Sequence, residues 1–317
     1  MSLHHTEHAI TIAAPAQAVH DALRSVINWP NIFPPTIHAE TLEHDASGDH
    51  IQLWATANES LKTWTSRRTF DPEQRRIAFR QVVSAPPVAS MSGEWVVQEI
   101  DRGTSRVLLL HSFSPDDSAG AREWIEAAVD TNSTRELESL KSAAEALARQ
   151  PEATVTFADS VWIDAEPAWV REFIDRADLW AERLAHVDAV TLTEPAPGHQ
   201  FLSLDTRTPD GDVHTTASWR VVLDSGDIVY KQTLLPALLS LHRGRWSFIP
   251  RDGGTLATSE HTVALITEAI PAILGTGKTL ADATAFIRNA LGRNSLSTLE
   301  NAKKWAESTE RGSDVRR

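Results

Sequence analysis

The sequence contains no cysteine. This excludes disulfides, a thiolate nucleophile and cysteine-ligated metal sites, and it is typical of a cytoplasmic protein. No segment approaches the roughly 18 consecutive apolar residues of a membrane span, and the segment beginning at Met1 lacks the apolar core of a signal peptide. We therefore expect a cytoplasmic protein with no membrane association.

Basic charge is also scarce. The chain has 30 Lys and Arg residues against 43 Asp and Glu residues, a formal net charge of -13. A general nucleic-acid binder would carry a net basic face, so we expect no nucleic-acid partner. The densest arginine cluster in the first half of the chain comprises Arg67, Arg68, Arg75, Arg76 and Arg80.

Tyrosine occurs once, at Tyr230, beside 11 tryptophans. The sequence therefore keeps large apolar rings but almost no phenolic acid or base groups. A histidine cluster, His4, His5 and His8, lies in a terminal segment of the kind that commonly frays, so we expect no metal site.

The chain repeats itself. The segment ITIAAPAQAVHDALRSVINWP from Ile10 is similar to VWIDAEPAWVREFIDRADLWA from Val161. Further matches follow in the same order, about 150 positions apart. The matched pairs include Trp29 and Trp180, Ser66 and Ser218, Arg68 and Arg220, Trp95 and Trp246, and His111 and His261. This series predicts two copies of one domain, residues 1–150 and 151–317, joined at a polar, proline-bearing segment.

Each copy has the same predicted order of elements. An alternating strand, His8–Ile12 or Thr156–Ile163, leads into a helix, and closely spaced turn signals then favour an antiparallel meander. In the first copy the helix has apolar residues at Val19, Leu23 and Ile27. The long last helix has a predicted apolar stripe of Trp124, Ala128, Leu137, Leu140, Ala144 and Leu147. We predict an α+β fold in which each curved antiparallel sheet wraps around a long C-terminal helix and encloses a pocket.

The segment TWTSRRTF, residues 63–70, supplies candidate residues for that pocket. Side chains alternate between the faces of a strand, so Trp64, Ser66, Arg68 and Phe70 share one face. An arginine between aromatic rings is expected either on a solvated strand or in the wall of a concave pocket. The predicted curved sheet favours the pocket.

These motifs together resemble a known family. The pattern W-x-S-x-R at Trp64, Ser66 and Arg68, the Gly93-x-Trp95 motif and the helix NSTRELESLK from Asn132 resemble the polyketide aromatase/cyclases of bacterial type II synthases. These proteins belong to the START or Bet v 1-like superfamily, whose fold is the helix-grip. Two tandem copies resemble the di-domain aromatase/cyclases in particular, over essentially the whole chain.

The resemblance implies an enzyme of antibiotic biosynthesis that needs no cofactor. An acyl carrier protein would deliver a poly-β-ketone on its phosphopantetheine arm, alongside the other type II synthase components. Aldol condensation, between the seventh and twelfth carbons in di-domain members, would close the first ring, and loss of water would make it aromatic. Some di-domain relatives mainly aromatise a chain that is already reduced and cyclised.

The resemblance also implies roles for individual residues. Arg68 is the predicted cation that stabilises negative charge on oxygen, and Ser66 is expected to hold a carbonyl or an ordered water. His111 is either the general base or a structural histidine on an inner strand, and both interpretations stay open. The predicted pocket walls are Trp29, Phe33, Trp54, Trp64, Arg80 and Trp95, although Arg80 also fits a solvated turn.

The second copy departs from the first. Its predicted pocket residues are Trp180, Ser218, Arg220, Trp246 and His261, but the tryptophan of W-x-S-x-R is absent, so this pocket either supports the first or performs a separate step. The first copy in turn lacks the tyrosine that single-domain members place near the arginine. Its segment WPNIFPPT, residues 29–36, has Phe33 instead. A competing interpretation is a non-catalytic module that binds or shields an apolar ligand such as an aromatic polyketide.

Overall fold

The computed structural model describes residues 3–57, 60–84, 86–207 and 211–314, with side chains described as far as residue 309. The chain forms two compact units, Met1–Pro151 and Glu152–Arg317. Each unit contains one seven-stranded antiparallel sheet and one long C-terminal helix. The predicted α+β class is therefore confirmed. No helix in the described ranges is long and apolar enough to cross a membrane.

In the first unit the sheet order is β1-β7-β6-β5-β4-β3-β2. Its strands are β1 (His4–Ile12), β2 (Thr36–His44), β3 (Gly48–Ala57), β4 (Ser60–Asp71), β5 (Arg76–Gln81), β6 (Val88–Asp101) and β7 (Thr104–Pro115). Its helices are α1 (Ala16–Arg24), α2 (Trp29–Ile32) and α3 (Ala121–Arg149). Every strand after β2 pairs with the preceding one, as expected for a meander, and β1 closes the sheet against β7.

The second unit repeats this arrangement with the order β8-β14-β13-β12-β11-β10-β9. Its strands are β8 (Thr154–Ile163), β9 (Val187–Ala196), β10 (His199–Arg207), β11 (Val213–Val222), β12 (Ile228–Leu234), β13 (Leu239–Arg251) and β14 (Gly254–Leu265). Its helices are α4 (Pro167–Asp175), α5 (Trp180–Arg183), α6 (Ile270–Leu274) and α7 (Leu280–Asp314). Helix α6 has no counterpart among the described residues of the first unit.

The core of the first unit lies between one face of its sheet and helices α1 and α3. Ile12, Trp95 and Leu109 from the sheet pack with Leu23 of α1 and Leu140 of α3. We name the face of each sheet that bears such core residues its inner face.

Two details of the predicted helices were wrong. Ile27 is exposed, because α1 ends at Arg24 and a separate single turn follows it. Trp124 and Leu147 of α3 are also exposed. The buried stripe of α3 is Ala121, Ile125, Val129, Ser133, Leu137 and Leu140.

Candidate active site

The register of the first sheet confirms the shared face of the TWTSRRTF segment. Trp64, Ser66 and Arg68 of β4 lie directly opposite Leu53, Ile51 and Asp49 of β3. Directly opposed residues project to the same side of an antiparallel sheet. Because Leu53 and Ile51 are core residues, this is the inner face.

Arg68 is held by four hydrogen bonds. Its Nε donates to Asp49 Oδ1 at 2.8 Å, and one terminal nitrogen donates to Asp49 Oδ2 at 2.6 Å. The terminal nitrogens also donate to the carbonyl oxygens of Leu23 at 3.0 Å and Arg24 at 2.8 Å. These carbonyls belong to the last turn of α1, which has no intrahelical partners for them. Arg68 therefore fastens the end of α1 to the sheet.

The charge of Arg68 is compensated within the protein. The Arg68 and Asp49 side chains are only 1% and 7% exposed, so their ion pair is shielded from water. A guanidinium has five N–H groups, and the bonds to Asp49, Leu23 and Arg24 leave one of them for another partner. A direct role for Arg68 at a substrate oxygen stays a prediction, and it rests on that remaining N–H.

Aromatic rings surround this ion pair on the inner face. The Arg68 guanidinium carbon lies 5.4 Å from the centre of the Trp29 ring, and the Trp29 indole N–H donates to the Leu23 carbonyl at 3.0 Å. Phe33 packs edge-on against Trp29 at 5.5 Å and lies 6.4 Å from Trp95. The structure thus brings these three predicted wall residues together.

Two predicted wall residues were wrong. Trp54 lies opposite Thr63, one position out of phase with Trp64, so it projects from the outer face, where its ring lies 5.3 Å from His38. Arg80 lies opposite Arg67 on the same outer face and is exposed. The sequence showed each strand's alternation but not the pairing that decides which face is the inner one.

His111 lies on the inner face of β7, opposite Gly93. Its Nδ1 and the Ser133 hydroxyl of α3 are 3.3 Å apart, and its ring packs edge-on against Phe79 at 5.6 Å. Burial, with a smaller contribution from His8, lowers the pKa of His111 to about 4. The imidazole is therefore neutral at pH 7 and has a lone pair available for a proton.

Sequence analysis missed Glu136. It lies one turn after Ser133 on α3, and it has no ion pair or hydrogen bond within the described residues. Its side chain is accessible to water, yet desolvation raises the pKa of the carboxyl to about 7. Helix α3 contains many charged residues, so nothing in the sequence distinguished Glu136 from the others.

The second unit has the same arginine without the same partner. Gln200 lies opposite Arg220, in the position that Asp49 has in the first unit. Arg220 donates to the Ile174 carbonyl at 2.7 Å and lies 5.6 Å from the Trp180 ring, but its second terminal nitrogen has no partner among the described residues. Burial lowers the pKa of Arg220 to about 10, so the group is still charged at neutral pH.

The other predicted residues of the second unit lie on its inner face as well. Ser218 lies two residues before Arg220, and Trp246 is a core residue opposite Ile228. His261 is buried beside Tyr230 and His242, neither of which the sequence analysis placed in the site. Burial lowers the pKa of His242 to about 3 and that of His261 to about 4.

Two surface depressions lie away from both inner faces. Surface depressions of about 290 and 310 Å³ lie on α3 around Lys141 and in the loops around Pro250, and neither contains a predicted site residue. In the part of the chain that the structure describes, no three His, Asp or Glu side chains are grouped to hold a metal ion.

Comparisons with known proteins agree with this architecture. Residues 4–145 match the family model described as polyketide cyclase / dehydrase and lipid transport. The granaticin polyketide synthase bifunctional cyclase/dehydratase of Streptomyces virginiae is 44% identical over 93% of this chain and 97% of its own. The actinorhodin polyketide synthase bifunctional cyclase/dehydratase of Streptomyces coelicolor is 40% identical over 94% of this chain and 96% of its own.

Solved structures give the same result. The di-domain ARO/CYC BexL from the BE-7585A biosynthetic pathway has a TM-score of 0.91 and 50% identity, covering 96% of this chain and 99% of its own. The di-domain ARO/CYC StfQ from the steffimycin pathway has a TM-score of 0.87 and 32% identity with the same coverage. The resemblance identified from the sequence is confirmed: this chain belongs to the polyketide cyclase/dehydratase family, in its two-domain aromatase/cyclase form.

Proposed function

We propose that this protein is the aromatase/cyclase of a bacterial type II polyketide synthase. It closes the first ring of a poly-β-ketone by an intramolecular aldol condensation and removes water to make that ring aromatic. The observation that carries the proposal is the inner face of the first unit, where a neutral imidazole, His111, lies on the same face as the aromatic side chains that flank Arg68. Full-length similarity to named cyclase/dehydratases supports it.

The first step is proton removal from the carbon between two carbonyls. The neutral His111 accepts that proton, and the carbanion attacks a second carbonyl carbon, so one C–H bond breaks and one C–C bond forms. The alkoxide then takes a proton from the protein. Glu136, with a pKa near 7, is present in both protonation states at neutral pH and can supply it.

The arginine and the aromatic rings position the chain. The Arg68–Asp49 pair holds the end of α1 against the sheet, which fixes Trp29 and Phe33 as a rigid wall. A rigid wall favours the folded conformer of a flexible polyketide in which the two reacting carbons meet.

We further propose that an acyl carrier protein delivers the substrate, with the other type II components alongside. Arg67 and Arg80 lie opposite each other on the exposed outer face of the first sheet, and neither has an ion pair within the described residues. Arg75 and Arg76, by contrast, are paired with Glu99 and Glu94. Arg67 and Arg80 therefore form a local patch of positive charge that an acidic partner can contact, although the net charge of the chain is negative.

The test is product analysis in a reconstituted minimal synthase. We compare wild type with His111→Gln and Glu136→Gln, and use His44→Gln and Glu138→Gln as matched controls at exposed positions. The proposal expects the two site variants to release spontaneously cyclised shunt compounds, while the controls give the wild-type product. If the site variants give the wild-type product and the protein still binds the polyketide, it is a binding or shielding module.

A further inference from the structure

Three polar side chains of the second unit form a closed cluster. The Tyr230 hydroxyl is 3.0 Å from His261 Nδ1 and 3.4 Å from His242 Nε2, and these two nitrogens are 3.0 Å apart. His261 Nε2 is 3.2 Å from the Ser259 hydroxyl. Both imidazoles are at least nine-tenths buried, and His242 Nδ1 has no partner within the described residues.

The cluster faces the interior of the second unit. Tyr230 lies on β12 opposite Gly244, and Gly244 lies opposite His261, so the two ring-bearing residues project from the same inner face. A β carbon on Gly244 would be 2.4 Å from the Tyr230 hydroxyl oxygen. The glycine therefore provides the space in which the tyrosine lies across the sheet and reaches the imidazoles.

The first unit has no such cluster at the same positions. Phe79, which lies opposite Gly93, replaces Tyr230, and Met91 replaces His242. Leu109 occupies the position of Ser259, and only the histidine, His111, is common to both units. Three positions that are apolar in the first unit thus carry hydrogen-bonding groups in the second, and burying such groups costs stability unless they perform a task.

A cation lies directly beside the cluster. Arg220 is opposite Tyr230 on the neighbouring strand, and one of its terminal nitrogens is buried without a partner in the described chain. Buried donors in native proteins are almost always satisfied, so this guanidinium nitrogen is expected to bind either an ordered water or a ligand atom. The acceptor that it suits is an oxygen carrying negative charge or a carbonyl dipole.

We propose that the second unit is a separate acid–base site, in which the Tyr230 hydroxyl, linked to His261 and His242, removes water from a β-hydroxy ketone whose carbonyl oxygen is bound by Arg220. The inference rests on the proposed function, because such a ketone is what aldol ring closure produces. It adds that ring closure and loss of water take place on different units.

The hydrogen bonds define a proton path. We assign the tautomers from the network: Tyr230 donates to His261 Nδ1, His261 Nε2 donates to Ser259, and the N–H at His242 Nε2 points between His261 Nδ1 at 3.0 Å and the Tyr230 oxygen at 3.4 Å. As the Tyr230 proton moves to His261, the phenol oxygen takes the proton from the carbon next to the ketone. The enolate oxygen is held by Arg220.

The second half of the reaction restores the starting protonation state of the protein. The C–O bond breaks and a C=C bond forms, while Tyr230 protonates the departing hydroxyl and recovers its own proton from His261. One proton has moved from carbon to oxygen, one water has left, and the Tyr230–His261 pair is unchanged. No oxidant, metal or cofactor enters the balance.

A small probe tests this site without the carrier protein or the synthase. 3-Hydroxy-1-tetralone is a bicyclic β-hydroxy ketone that becomes 1-naphthol when it loses water and tautomerises, so chromatography measures the reaction directly. The full-length protein should accelerate this loss of water at least about tenfold over buffer, since positioned acid–base groups contribute about a hundredfold or more. Tyr230→Phe and His242→Met should remove that acceleration.

The variants are chosen to preserve the fold. Tyr230→Phe and His242→Met each install the residue that the first unit has at the same position, and His44→Met is the matched control at an exposed site. The control should react as wild type does. The inference is overturned if wild type does not accelerate the reaction, or if Tyr230→Phe and His242→Met both react at the wild-type rate.

A binding measurement provides a second readout. Because Tyr230 is the single tyrosine, protein labelled with 3-fluorotyrosine has one fluorine resonance. The resonance should shift on addition of the tetralone, and Arg220→Met should abolish the shift. An unchanged resonance means that an ordered water alone satisfies Arg220. In the reconstituted synthase, a wild-type protein that fails to direct ring closure contradicts the proposed function, whereas a Tyr230→Phe product that is closed and has lost water contradicts only this inference.

Discussion

Removing the charge of Asp49 should destabilise the first unit strongly. Asp49→Asn keeps the size of the side chain but leaves the Arg68 guanidinium buried without its counter-ion. Truncating one partner of a buried ion pair costs about 3–5 kcal/mol, because the other charge is left uncompensated. Here the carbonyls of Leu23 and Arg24 and the rings of Trp29 and Phe70 still hold the guanidinium, so we expect about 3 kcal/mol.

A double-mutant cycle isolates the pair. Arg68→Met alone leaves the Asp49 carboxylate buried and should cost as much as Asp49→Asn. Together the two changes remove both charges, so they should cost less than the sum of the single variants, with a coupling of about 2 kcal/mol. A coupling of that size is expected only for a pair shielded from water.

The assay is denaturant unfolding of the full-length protein, followed by circular dichroism and fitted with two transitions, because the chain has two compact units. Asp188→Asn is the matched control, since Asp188 pairs with Arg207 in a partly exposed position. That variant should change the free energy of unfolding by less than about 1 kcal/mol. If Asp49→Asn costs as little as Asp188→Asn, the Arg68–Asp49 pair is solvated and does not fasten α1.

Three further predictions concern other groups. Burial lowers the pKa of His242 to about 3 and that of His261 to about 4, whereas both are near 6.5 in the unfolded chain. As the pH drops below about 6.5, the unfolded chain therefore binds protons that the folded protein does not bind, and the free energy of unfolding falls. At pH 5 each imidazole should lower the free energy of unfolding by about 2 kcal/mol relative to pH 8. Calorimetry over this pH range should show a smaller loss of stability for His242→Met than for wild type. The pKa of Glu136 near 7 predicts an inflection in the pH profile of ring closure that Glu136→Gln removes and Glu138→Gln retains. Gly244→Ala places a β carbon 2.4 Å from the Tyr230 hydroxyl oxygen and 2.5 Å from the Glu260 carbonyl oxygen, and should destabilise by about 1–3 kcal/mol while shifting the fluorine resonance of Tyr230.

Sequence periodicity was sufficient for the architecture. The matched segments from Ile10 and Val161 each form a strand and a helix in the same order, and the turn signals between them mark antiparallel hairpins. Alternation within β4 also placed Trp64, Ser66 and Arg68 correctly on one face. These features depend on residues close together in the chain, which is why local patterns reveal them.

The errors among the predicted wall residues depend on pairing between strands. The register of β3 against β4 decides whether Trp54 lies on the same face of the sheet as Trp64 or on the opposite face. A shift of one residue reverses the result. The same register brings Asp49 to Arg68, a contact that no pattern within either strand contains. Tyr230, His242 and His261 come from three strands, so their meeting could not be predicted from local sequence.

The inner faces of the two units differ around a shared arginine. Both units use an arginine on their fourth strand, β4 or β11, to hold the end of a short helix, through Leu23 in the first and Ile174 in the second. Around that shared contact the first unit neutralises its arginine with an aspartate, whereas the second has Gln200 there, and one guanidinium nitrogen of Arg220 has no partner among the described residues. Arg220 is buried beside a tyrosine, and its counter-charges are the more distant carboxylates of Asp175 and Glu194, so part of its hydrogen-bonding capacity is left to a group from outside the described chain. The simplest physical account is that the second unit is built for a ligand whose oxygen completes the hydrogen bonds of Arg220, and that this ligand differs from the one bound by the first unit.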